Sequence, residues 1–474
     1  MKINPEHYFV LQGSKVLKDL DELVHFLKVV DKKTFEYHVN DSKNDFANWI
    51  RYVFKNKRLA EAIDDLRHEN IALMIELIEK HVREMQILVV NGGSSSLKFQ
   101  LIELTSKNAP VKGMIDAINL DRCNITLTIN GETTTRSVTI KNHEEAVALM
   151  ISDLLENNII GDISEIKAVG HRVVHGGETY TEPIIIDSKV IERLKELIVL
   201  APLHNPANIS CIEACMKIFH CPHVAVFDTA FHSTIPKEKF LYGLPYEYYE
   251  NNKIRKYGFH GSSHKYIAGM INEFFKIENK KNMKLIICHL GNGCSITAVK
   301  NGKSLNTTMG FTPLDGLIMG TRCGHLDPAI SIHLGTTLNL SYEQMDKILN
   351  KKSGLLGISG HADMRDLHKT AHEEKSKLAM EMFADRIIHY IGAYVAEMNG
   401  VDAIVFTGGI GENAYYIREM VLKNFTYLDL KLDSKKNEKN EFIITGKDSL
   451  VTVFVMSTNE ELEIATETKK VLKL

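Results

Sequence analysis

Glycine is distributed very unevenly along this chain of 474 residues. Only Gly13 of the 30 glycines precedes residue 86, and the other 29 lie beyond it, many of them in G-G, G-N-G and G-I-G clusters. Residues before 86 follow helical spacing, whereas those after it form short β-branched runs that end in glycine turns. The sequence therefore predicts a small, mainly helical domain over 1–85 joined to a larger α/β part.

The segment before residue 86 predicts a hairpin followed by helices. An extended run at 8–11, a turn at Gln12-Gly13 and a return at 15–17 predict the hairpin. Apolar residues then recur at i, i+3, i+4 and i+7 in three stripes that predict helices with one buried face: Leu20, Leu23, Val24 and Leu27; Phe46, Trp49, Ile50 and Val53; Ile71, Met74, Ile75 and Ile78. The histidines here match no compact metal-ligand spacing, so the segment is assigned no chemistry.

Two pairs of similar segments indicate an internal duplication beyond residue 86. ILVV at 87–90 leads into NGGSSSLKFQLIE, and LIICHL at 285–290 leads into GNGCSITAVKNGK, each an apolar strand, a glycine turn and a second strand. VAVFDTA at 224–230 and AIVFTGG at 403–409 form the second pair, each a buried strand that ends after Phe. The order predicts two duplicated α/β halves that face each other across a cleft.

The composition is that of a globular protein. Lys plus Arg number 57 and Asp plus Glu 60, so the formal net charge is −3, and 44% of the residues are apolar. This balance argues against a disordered chain and a nucleic-acid-coating surface. No apolar run approaches the ~20 residues of a membrane span, and the start lacks a signal-peptide pattern, so we expect a cytoplasmic protein with neither nucleic acid nor membrane as partner. The seven cysteines include no CxxC pair, so we expect reduced thiols.

Three glycine-rich segments are candidate anion sites. NGGSSSLK at 91–98, GNGCS at 291–295 and GGIGEN at 408–413 place glycine where backbone N–H groups can form a concavity, and Lys98 adds a charge to the first. A hairpin turn solvated by serines explains one such segment equally well. Three of them together indicate a polyphosphate with several points of attachment.

Two arginines and one aspartate stand where a charged ligand would bind. Arg172 lies on an apolar strand in GHRVVHGGE, and Arg322 lies inside the glycine-rich MGTRCGHLDP. An arginine is costly to bury unless it meets an anion, and a structural salt bridge is the alternative to a ligand. Asp228 follows a buried strand, where open α/β sheets bind ligands, with a helix cap as its alternative role.

His260 in YGFHGSSH, His204 in APLHNP and Glu460 in STNEELEIA carry weaker signals. A lone histidine usually packs in a core, and a carboxylate at the start of a final helix favours the helix dipole without any ligand. The order of the motifs around these residues is more informative than any one of them.

The motifs beyond residue 86 together resemble the acetate kinase family, within the superfamily of acetate and sugar kinases, Hsp70 and actin. The segments that carry the resemblance are NGGSSSLK, GHRVVHGGE, LAPLHNP, VFDTAFH, KYGFHGSSHKY, CHLGNGCS, MGFTPLDGLIMGTRCG, KKSGLLGISG, VFTGGIGEN and TNEE. The resemblance implies two duplicated actin-like (ribonuclease H-like) domains around a cleft, over 86–230 and 231–459, with a C-terminal helix at 460–474 packing back on the first. HVNDSKNDFANWIRYVF, before residue 86, resembles a small helical domain of unassigned function that occurs attached to various prokaryotic proteins.

The resemblance also implies roles for individual residues. Catalytic roles around the transferring phosphoryl group fall to Asp228, His260, Arg322 and His204. Arg172 would bind acetate, with its methyl group enclosed by Val174, Leu203, Phe259 and Pro313. Mg²⁺, or Mn²⁺ in its place, would be held by Asn91 and Glu460. The co-substrate ATP would be bound by Lys98, His289, Leu290, Gly291, Asn292, Gly293, Asp363, Met364, Arg365, Gly409, Ile410, Gly411, Glu412 and Asn413.

The reaction implied is the reversible, ATP-dependent phosphorylation of acetate to acetyl phosphate by direct in-line transfer, in a homodimer formed through the second domain. A propionate or other short-chain acyl kinase is the first alternative, because one methylene changes binding by only ~1–3 kcal/mol. A regulatory protein that senses nucleotide or acetyl phosphate is the second, and an Hsp70-like or sugar-kinase ATPase the third. His361 and Ala362 depart from the family on the adenosine side, and His325 in CGHLDP is also unusual for the family. No partner is predicted for 1–85.

Overall fold

The structure is a computed structural model that describes residues 7–12, 16–54, 56–66, 70–83, 86–104, 109–120, 123–157, 159–202, 204–277 and 282–474. Within these ranges, no helix combines the length and the apolar character needed to cross a membrane. The described residues form a small N-terminal module followed by two sheets with their covering helices.

The N-terminal module contains two short hairpins and five helices: β1 (Phe9–Val10), β2 (Val16–Leu17), α1 (Leu20–Val29), α2 (Lys32–His38), β3 (Val39–Asn40), β4 (Lys43–Asn44), α3 (Asp45–Tyr52), α4 (Lys57–Asp64) and α5 (Ile71–Arg83). The predicted hairpin is confirmed by the antiparallel pairing of β1 with β2, although its turn at 13–15 lies outside the described residues. The three predicted helices are confirmed as α1, α3 and α5. Their apolar stripes build a core made wholly of residues between positions 11 and 78.

The first α/β half is a sheet with helices on its faces. Its elements are β5 (Gln86–Gly93), β6 (Ser96–Glu103), β7 (Val111–Asp116), β8 (Cys123–Ile129), β9 (Glu132–Val138), α6 (His143–Glu156), β10 (Ile166–Val173), β11 (Ile184–Ile185), α7 (Ser188–Glu196), α8 (Asn205–Ile218) and β12 (His223–Phe227). The strands are ordered β11-β12-β10-β5-β6-β7-β8-β9. β12, β10 and β5 run parallel, and their nearly continuous burial reflects cover on both faces. β9, rich in threonine and exposed, forms one edge.

The second half repeats this plan with more helices. Its elements are α9 (Lys237–Phe240), α10 (Tyr246–Asn252), α11 (Gly261–Ile277), β13 (Lys284–Leu290), β14 (Cys294–Lys300), β15 (Lys303–Thr307), α12 (Pro328–Thr337), α13 (Tyr342–Lys351), α14 (Gly354–Ser359), α15 (Met364–Lys369), α16 (Glu374–Met398), β16 (Ala403–Thr407), α17 (Gly408–Asn413), α18 (Tyr415–Leu422), α19 (Ser434–Glu438), β17 (Thr452–Val455) and α20 (Glu460–Leu472). The sheet order is β15-β14-β13-β16-β17. Short 3₁₀ segments connect elements at Ile163–Glu165, Leu197–Leu200, Ala230–Thr234 and Lys423–Leu428.

The duplication is real, but one of the two sequence matches is displaced by a strand. In both sheets an antiparallel hairpin (β5-β6, β13-β14) is followed by two parallel strands (β10 and β12, β16 and β17). VAVFDTA is β12, whereas AIVFTGG is β16, which occupies the place of β10. The expected equivalence of these segments is therefore wrong, because buried apolar strands that end in small residues look alike wherever they stand in a sheet.

The last helix, α20, crosses back from the second sheet to the first. Its Ile464 and Ala465 pack in one cluster with Ile87 and Val89 of β5. The close approach requires a glycine in β10, since a Cβ at Gly170 would come within 2.6 Å of Thr468 Oγ1. This packing brings Glu460, at the start of α20, to the carboxyl ends of the first sheet's parallel strands.

Candidate active site

The candidate site lies at the carboxyl ends of the central strands of both sheets. Arg172 is near the end of β10, Asp228 directly follows β12, and Asn91 lies near the end of β5. Because β5, β10 and β12 are parallel neighbours, these residues meet at one edge although they are far apart in sequence. On the second sheet, His289 occupies the same kind of position near the end of β13.

The Arg172 guanidinium is engaged along one edge by the Asp228 carboxylate. Nε donates to Oδ1 at 3.0 Å and Nη2 donates to Oδ2 at 2.6 Å, while Nη1 points to Asn91 Oδ1 at 3.4 Å. Burial lowers the pKa of Arg172, but Asp228 and Glu460 more than offset this and raise it, so the guanidinium stays charged. Nη1, the group without a carboxylate partner, is therefore the part of Arg172 left for a ligand.

Asn91, Asp228 and Glu460 form an oxygen-rich group around this arginine. The pKa of Glu460 is raised to about 6, because burial and the Asp228 carboxylate raise it by more than Arg172 lowers it. A nearby divalent cation would relieve this excess of buried carboxylate, and amide and carboxylate oxygens are ligands that Mg²⁺ accepts. Among the described residues, no group of three His, Cys, Asp or Glu forms a ready-made metal cage.

The opposite wall carries Arg322 as a cationic donor and histidines as neutral donors. Arg322 Nη1 donates to the carbonyl of Pro313 at 3.2 Å, and no ion pair to Arg322 occurs among the residues that the structure describes. A Cβ at Gly293 would lie 3.3 Å from His260 Nε2 and 3.5 Å from Arg322 Nη1, so the GNG turn runs beside both side chains. Burial lowers the pKa of Arg322. A partly desolvated guanidinium with no counter-charge is suited to bind an anion.

Three histidines complete this surface. The rings of His260 and His289 lie 4.3 Å apart, and His289 Nδ1 is 2.8 Å from Ser263 Oγ. Burial, followed by Arg172, lowers the pKa of His289 to about 4, and burial also lowers the pKa of His260 far below its usual range. The pKa of His204 is lowered by burial, then by Arg172 and Arg322, so this imidazole lies in the field of both guanidinium groups. Neutral imidazoles can donate hydrogen bonds here without adding charge.

The predicted apolar pocket is partly assembled from buried residues. Val174 and Phe259 are 7% and 3% exposed and belong to one apolar cluster. Pro313 is half-buried and holds Arg322 through its carbonyl. Leu203, the remaining predicted residue, lies outside the described residues. The ring of His175, which the sequence did not single out, lies 5.8 Å from that of Phe259 and backs this surface.

The predicted nucleotide segments converge from the second half. The GNG turn joins β13 to β14, and Gly320 lies beside it: a Cβ there would be 2.7 Å from Asn292 Oδ1 and 3.1 Å from the carbonyl of Ala362. GGIGEN is not a hairpin turn like the other two segments but the short helix α17, since a parallel strand must leave its sheet in a crossover. Gly408, with φ +77°, makes the sharp start of α17 against the backbone of Leu290.

Asp363, Met364 and Arg365 differ in what they expose. Asp363 caps α15 by accepting from the Arg365 backbone N–H at 2.8 Å, and it also pairs with the Arg365 guanidinium, whose side chain is 84% exposed. Met364 is 3% exposed and packs in the core, so only its backbone can face a ligand, and its carbonyl accepts from Tyr416 at 3.2 Å. The Ser457 hydroxyl donates a hydrogen bond to the Glu412 carboxylate. Lys98 is exposed and directly opposite Asn91 in the β5-β6 pair.

Two residues that hold the site together escaped the sequence reading. Asn208 of α8 accepts from the Val174 backbone N–H at 3.0 Å and donates to the Gly92 carbonyl at 2.6 Å, which ties the NGG turn to the end of β10. Arg418 of α18 is fully buried and donates to the carbonyls of Gly411 and Glu412 at 2.7 and 3.0 Å. A sequence signal existed for Arg418, which stands in an apolar helical stripe with Ala414 and Leu422.

Comparison with known proteins gives a consistent result. The Acetokinase family model matches residues 86–466. An acetate kinase of Clostridium botulinum is 49% identical over 395 residues, which are 82% of this chain and 99% of that protein. The crystal structure of Porphyromonas gingivalis acetate kinase superposes with a TM-score of 0.78 at 40% identity, covering 82% of this chain and 99% of that one. A propionate kinase from Francisella tularensis gives a TM-score of 0.76 at 42% identity, covering 81% and 98%.

The fold is therefore the duplicated actin-like fold of the acetate and sugar kinase superfamily, around a cleft lined by two arginines. The chain belongs to the acetokinase family, and it is an enzyme of the acetate kinase group. The matched region begins at residue 86, so the N-terminal module stands outside it.

Proposed function

We propose that this enzyme transfers the γ-phosphoryl group of ATP reversibly to acetate, in a single in-line step without a phosphoenzyme. The observation that carries the proposal is the pair of guanidinium groups on opposite walls: Arg172 has a carboxylate partner, and Arg322 has none among the residues described. Acetate is ionised at neutral pH and needs no strong base, so the barrier lies in bringing two anions together in the correct alignment. Two fixed cations meet that requirement.

The first wall would bind acetate and metal. Arg172 uses its Nε and Nη2 for Asp228, so Nη1 is the donor proposed for the acetate carboxylate. Asp228 would keep that guanidinium aligned and act beside the metal, while Asn91 and Glu460 would hold Mg²⁺, or Mn²⁺ in its place. Bound Mg²⁺ would neutralise phosphate charge as the phosphoryl group moves.

The second wall would stabilise the phosphoryl group during its transfer. Arg322 and His260 flank the GNG turn and are proposed to donate to the equatorial oxygens of the phosphoryl group, with His204 assisting. Donors fixed in a partly desolvated site need no reorganisation during reaction, which is the basis of their catalytic effect. The proposed ATP contacts are Lys98, residues 289–293, residues 363–365 with Met364 contributing only backbone, and residues 409–413.

Acetate is the proposed substrate rather than propionate. Val174, Leu203, Phe259 and Pro313 would enclose the methyl group, and none of these positions is occupied by a residue as small as alanine. The similarity to a propionate kinase from Francisella tularensis makes propionate the second candidate. One methylene in an apolar pocket changes the free energy of binding by only ~1–3 kcal/mol, so we expect propionate to react more slowly rather than not at all.

A hydroxamate assay tests the proposal directly. Incubation with acetate, MgATP and hydroxylamine is expected to yield acetyl hydroxamate, and the yield is expected to vanish in Arg172→Ala while the protein remains folded. Good activity on propionate or butyrate with none on acetate would reject acetate as substrate. No turnover of any short-chain acid, with ATP still bound, would favour a nucleotide-sensing protein instead.

We further propose three domains, 1–85, 86–230 and 231–459, with the helix at 460–474 packing on the second of them, and a homodimer in the cytoplasm. Support for a dimer comes from α12, none of whose residues is buried although the helix is largely apolar. Ile332 on it is 69% exposed, and Leu338 and Tyr342, just beyond it, are 60% and 97% exposed. Such a patch is typical of an interface between subunits. A mass of one chain in light scattering at micromolar concentration would reject the dimer.

A further inference from the structure

His260 and His264 both contact the hydroxyl group of Ser295. Ser295 Oγ lies 2.9 Å from His260 Nδ1 and 2.7 Å from His264 Nε2. His260 directly precedes α11, His264 lies in its first turn, and Ser295 is a fully buried residue of β14. The three side chains therefore form a chain of hydrogen bonds that ends at the imidazole of His260.

The buried end of this chain determines its direction. A serine hydroxyl has one hydrogen and can accept up to two hydrogen bonds. Among the described residues, the side-chain contacts of the buried Ser295 Oγ are these two imidazole nitrogens, so its hydrogen must be donated to one of them and Ser295 accepts from the other. Within the described part of the chain, the buried Nδ1 of His264 has no hydrogen-bond partner. If Ser295 donated to His264, the hydrogen of that neutral ring would be on Nδ1, as a buried N–H without an acceptor, which is rare in folded proteins. His264 therefore carries its hydrogen on Nε2 and donates it to Ser295.

The direction of the chain fixes the hydrogen of His260. Ser295 donates to His260 Nδ1, so the neutral ring carries its own hydrogen on Nε2. That nitrogen faces the GNG turn beside Arg322, since a Cβ at Gly293 would lie 3.3 Å from His260 Nε2 and 3.5 Å from Arg322 Nη1. Burial lowers the pKa values of both His260 and His264 far below their usual range, so both rings are neutral at physiological pH.

We propose that Ser295 and His264 are positioning residues that hold His260 as the tautomer with hydrogen on Nε2, the tautomer able to donate to the transferring phosphoryl group. The opposite tautomer would present a lone pair to an anion and repel it. The tautomer assignment stands on the hydrogen-bond geometry and the burial of the two rings, while its catalytic consequence rests on the proposed function.

A second serine–histidine pair provides a matched control. Ser304 Oγ lies 2.9 Å from His232 Nδ1, and Ser304 is 1% exposed, like Ser295. His232 Nε2 lies 2.9 Å from the carbonyl of Phe259, which can only accept. Phe259 therefore fixes the tautomer of His232, and losing the Ser304 hydroxyl leaves all hydrogens of His260 in place.

Neutron diffraction from deuterium-exchanged crystals of the full chain tests the tautomer. We expect deuterium on His264 Nε2, on Ser295 Oγ pointing to His260, and on His260 Nε2. Deuterium on His260 Nδ1 or on His264 Nδ1 would overturn the inference. Neutron diffraction needs no turnover, so it tests the direction of this chain of hydrogen bonds even if the hydroxamate assay rejects the proposed function.

Steady-state kinetics test the consequence. Ser295→Ala is expected to lower kcat roughly tenfold, the size of one neutral hydrogen bond, with KM for acetate changed less than about twofold. His264→Gln, whose amide N–H₂ can replace the Nε2–H donor, is expected to retain most of the rate, whereas His264→Leu is expected to lose it as Ser295→Ala does. Equal losses of kcat in Ser295→Ala and Ser304→Ala would show a packing effect and overturn the inference, as would full activity in Ser295→Ala.

Discussion

The two walls of the cleft hold their cations in different ways. On the first wall, Arg172 is paired with Asp228, whose side chain is only 2% exposed, so this cation has its carboxylate partner before any ligand binds. On the second wall, Arg322 rests on a backbone carbonyl and has no carboxylate partner among the described residues. The first arginine is part of the framework of the protein, whereas the second is free to respond to an incoming anion.

This difference predicts how rate and stability are coupled on each wall. A cation paired with a buried carboxylate contributes to the catalytic rate and to the stability of the fold, because removing either partner leaves the other charge without compensation. A cation without a counter-charge is costly to bury and contributes to rate alone. Substitutions of the charged residues on each wall should therefore have different effects. On the first wall they should lower both kcat and the free energy of unfolding, whereas on the second wall they should lower mainly kcat.

Removing Asp228 should have the largest effect. Asp228→Ala is expected to reduce kcat about 10³-fold, because it takes away the partner that orients Arg172 and the carboxylate beside the proposed metal site. The free energy of unfolding in urea should fall by about 3–5 kcal/mol, since the partly buried Arg172 guanidinium loses its carboxylate partner. Asp228→Asn keeps the shape without the charge and serves as the control. A variant that lost activity at unchanged stability would contradict the coupling on this wall.

Removing Arg322 should separate the two quantities. Arg322→Ala is expected to reduce kcat about 10²-fold, the loss typical of one fixed transition-state donor. Its free energy of unfolding should fall by less than about 1.5 kcal/mol, because the substitution breaks no ion pair among the described residues and removes one hydrogen bond, to the Pro313 carbonyl. Arg322→Lys keeps the charge but not the planar fork, and it should recover only part of the rate. A large loss of stability in Arg322→Ala would erase the contrast between the walls.

Much of this site could be anticipated from sequence, because its residues cluster in short motifs. Arg172, Asp228, His260 and Arg322 each stand beside glycine or at the end of an apolar run, where backbone turns expose side chains to a cleft. Three of the five helices described in the N-terminal module, α1, α3 and α5, followed from apolar spacing alone. Local pattern is sufficient wherever a residue's environment is set by its near neighbours in the chain.

The parts that escaped prediction depend on contacts across long stretches of chain. Asn208 reaches the Gly92 carbonyl across 116 positions, and Ser295 meets His264 across 31, so no local pattern marks either pair. Met364 was predicted as a ligand contact because it lies in the same motif as Asp363 and Arg365, but its side chain packs in the core. A local motif therefore does not show which of its side chains face the cleft. The incorrect pairing of β12 with β16 in the sequence comparison has the same cause, because the order of strands in a sheet depends on pairing between distant segments and not on the sequence of one strand.

Arg418 extends the contrast within the second wall. It is a buried cation that donates to carbonyl and amide oxygens, at the ends of α17 and at Asn437 and Asn440, rather than to a carboxylate. Arg418→Met is expected to raise KM for ATP roughly tenfold, because the carbonyls that fix α17 lose their donor, with kcat reduced less than about threefold. Arg418→Lys keeps the charge but has fewer hydrogen-bond donors, so its KM for ATP should lie between those of the unsubstituted enzyme and Arg418→Met. An unchanged KM for ATP would mean that α17 is held without it.

Removing the N-terminal module should have the smallest effect on both walls. Its core is made wholly of its own residues, and the Acetokinase family match begins at residue 86, so residues 86–474 are expected to keep kcat and both KM values within about twofold. Trp49, the one tryptophan of the chain, is 6% exposed in that core and donates to the His7 carbonyl at 2.9 Å, so its fluorescence in the full chain reports the module alone. In urea, the fluorescence transition and the loss of activity should have separate midpoints. Coincident midpoints, together with a truncated chain of altered kinetics, would show that the module supports the cleft and is not an independent domain.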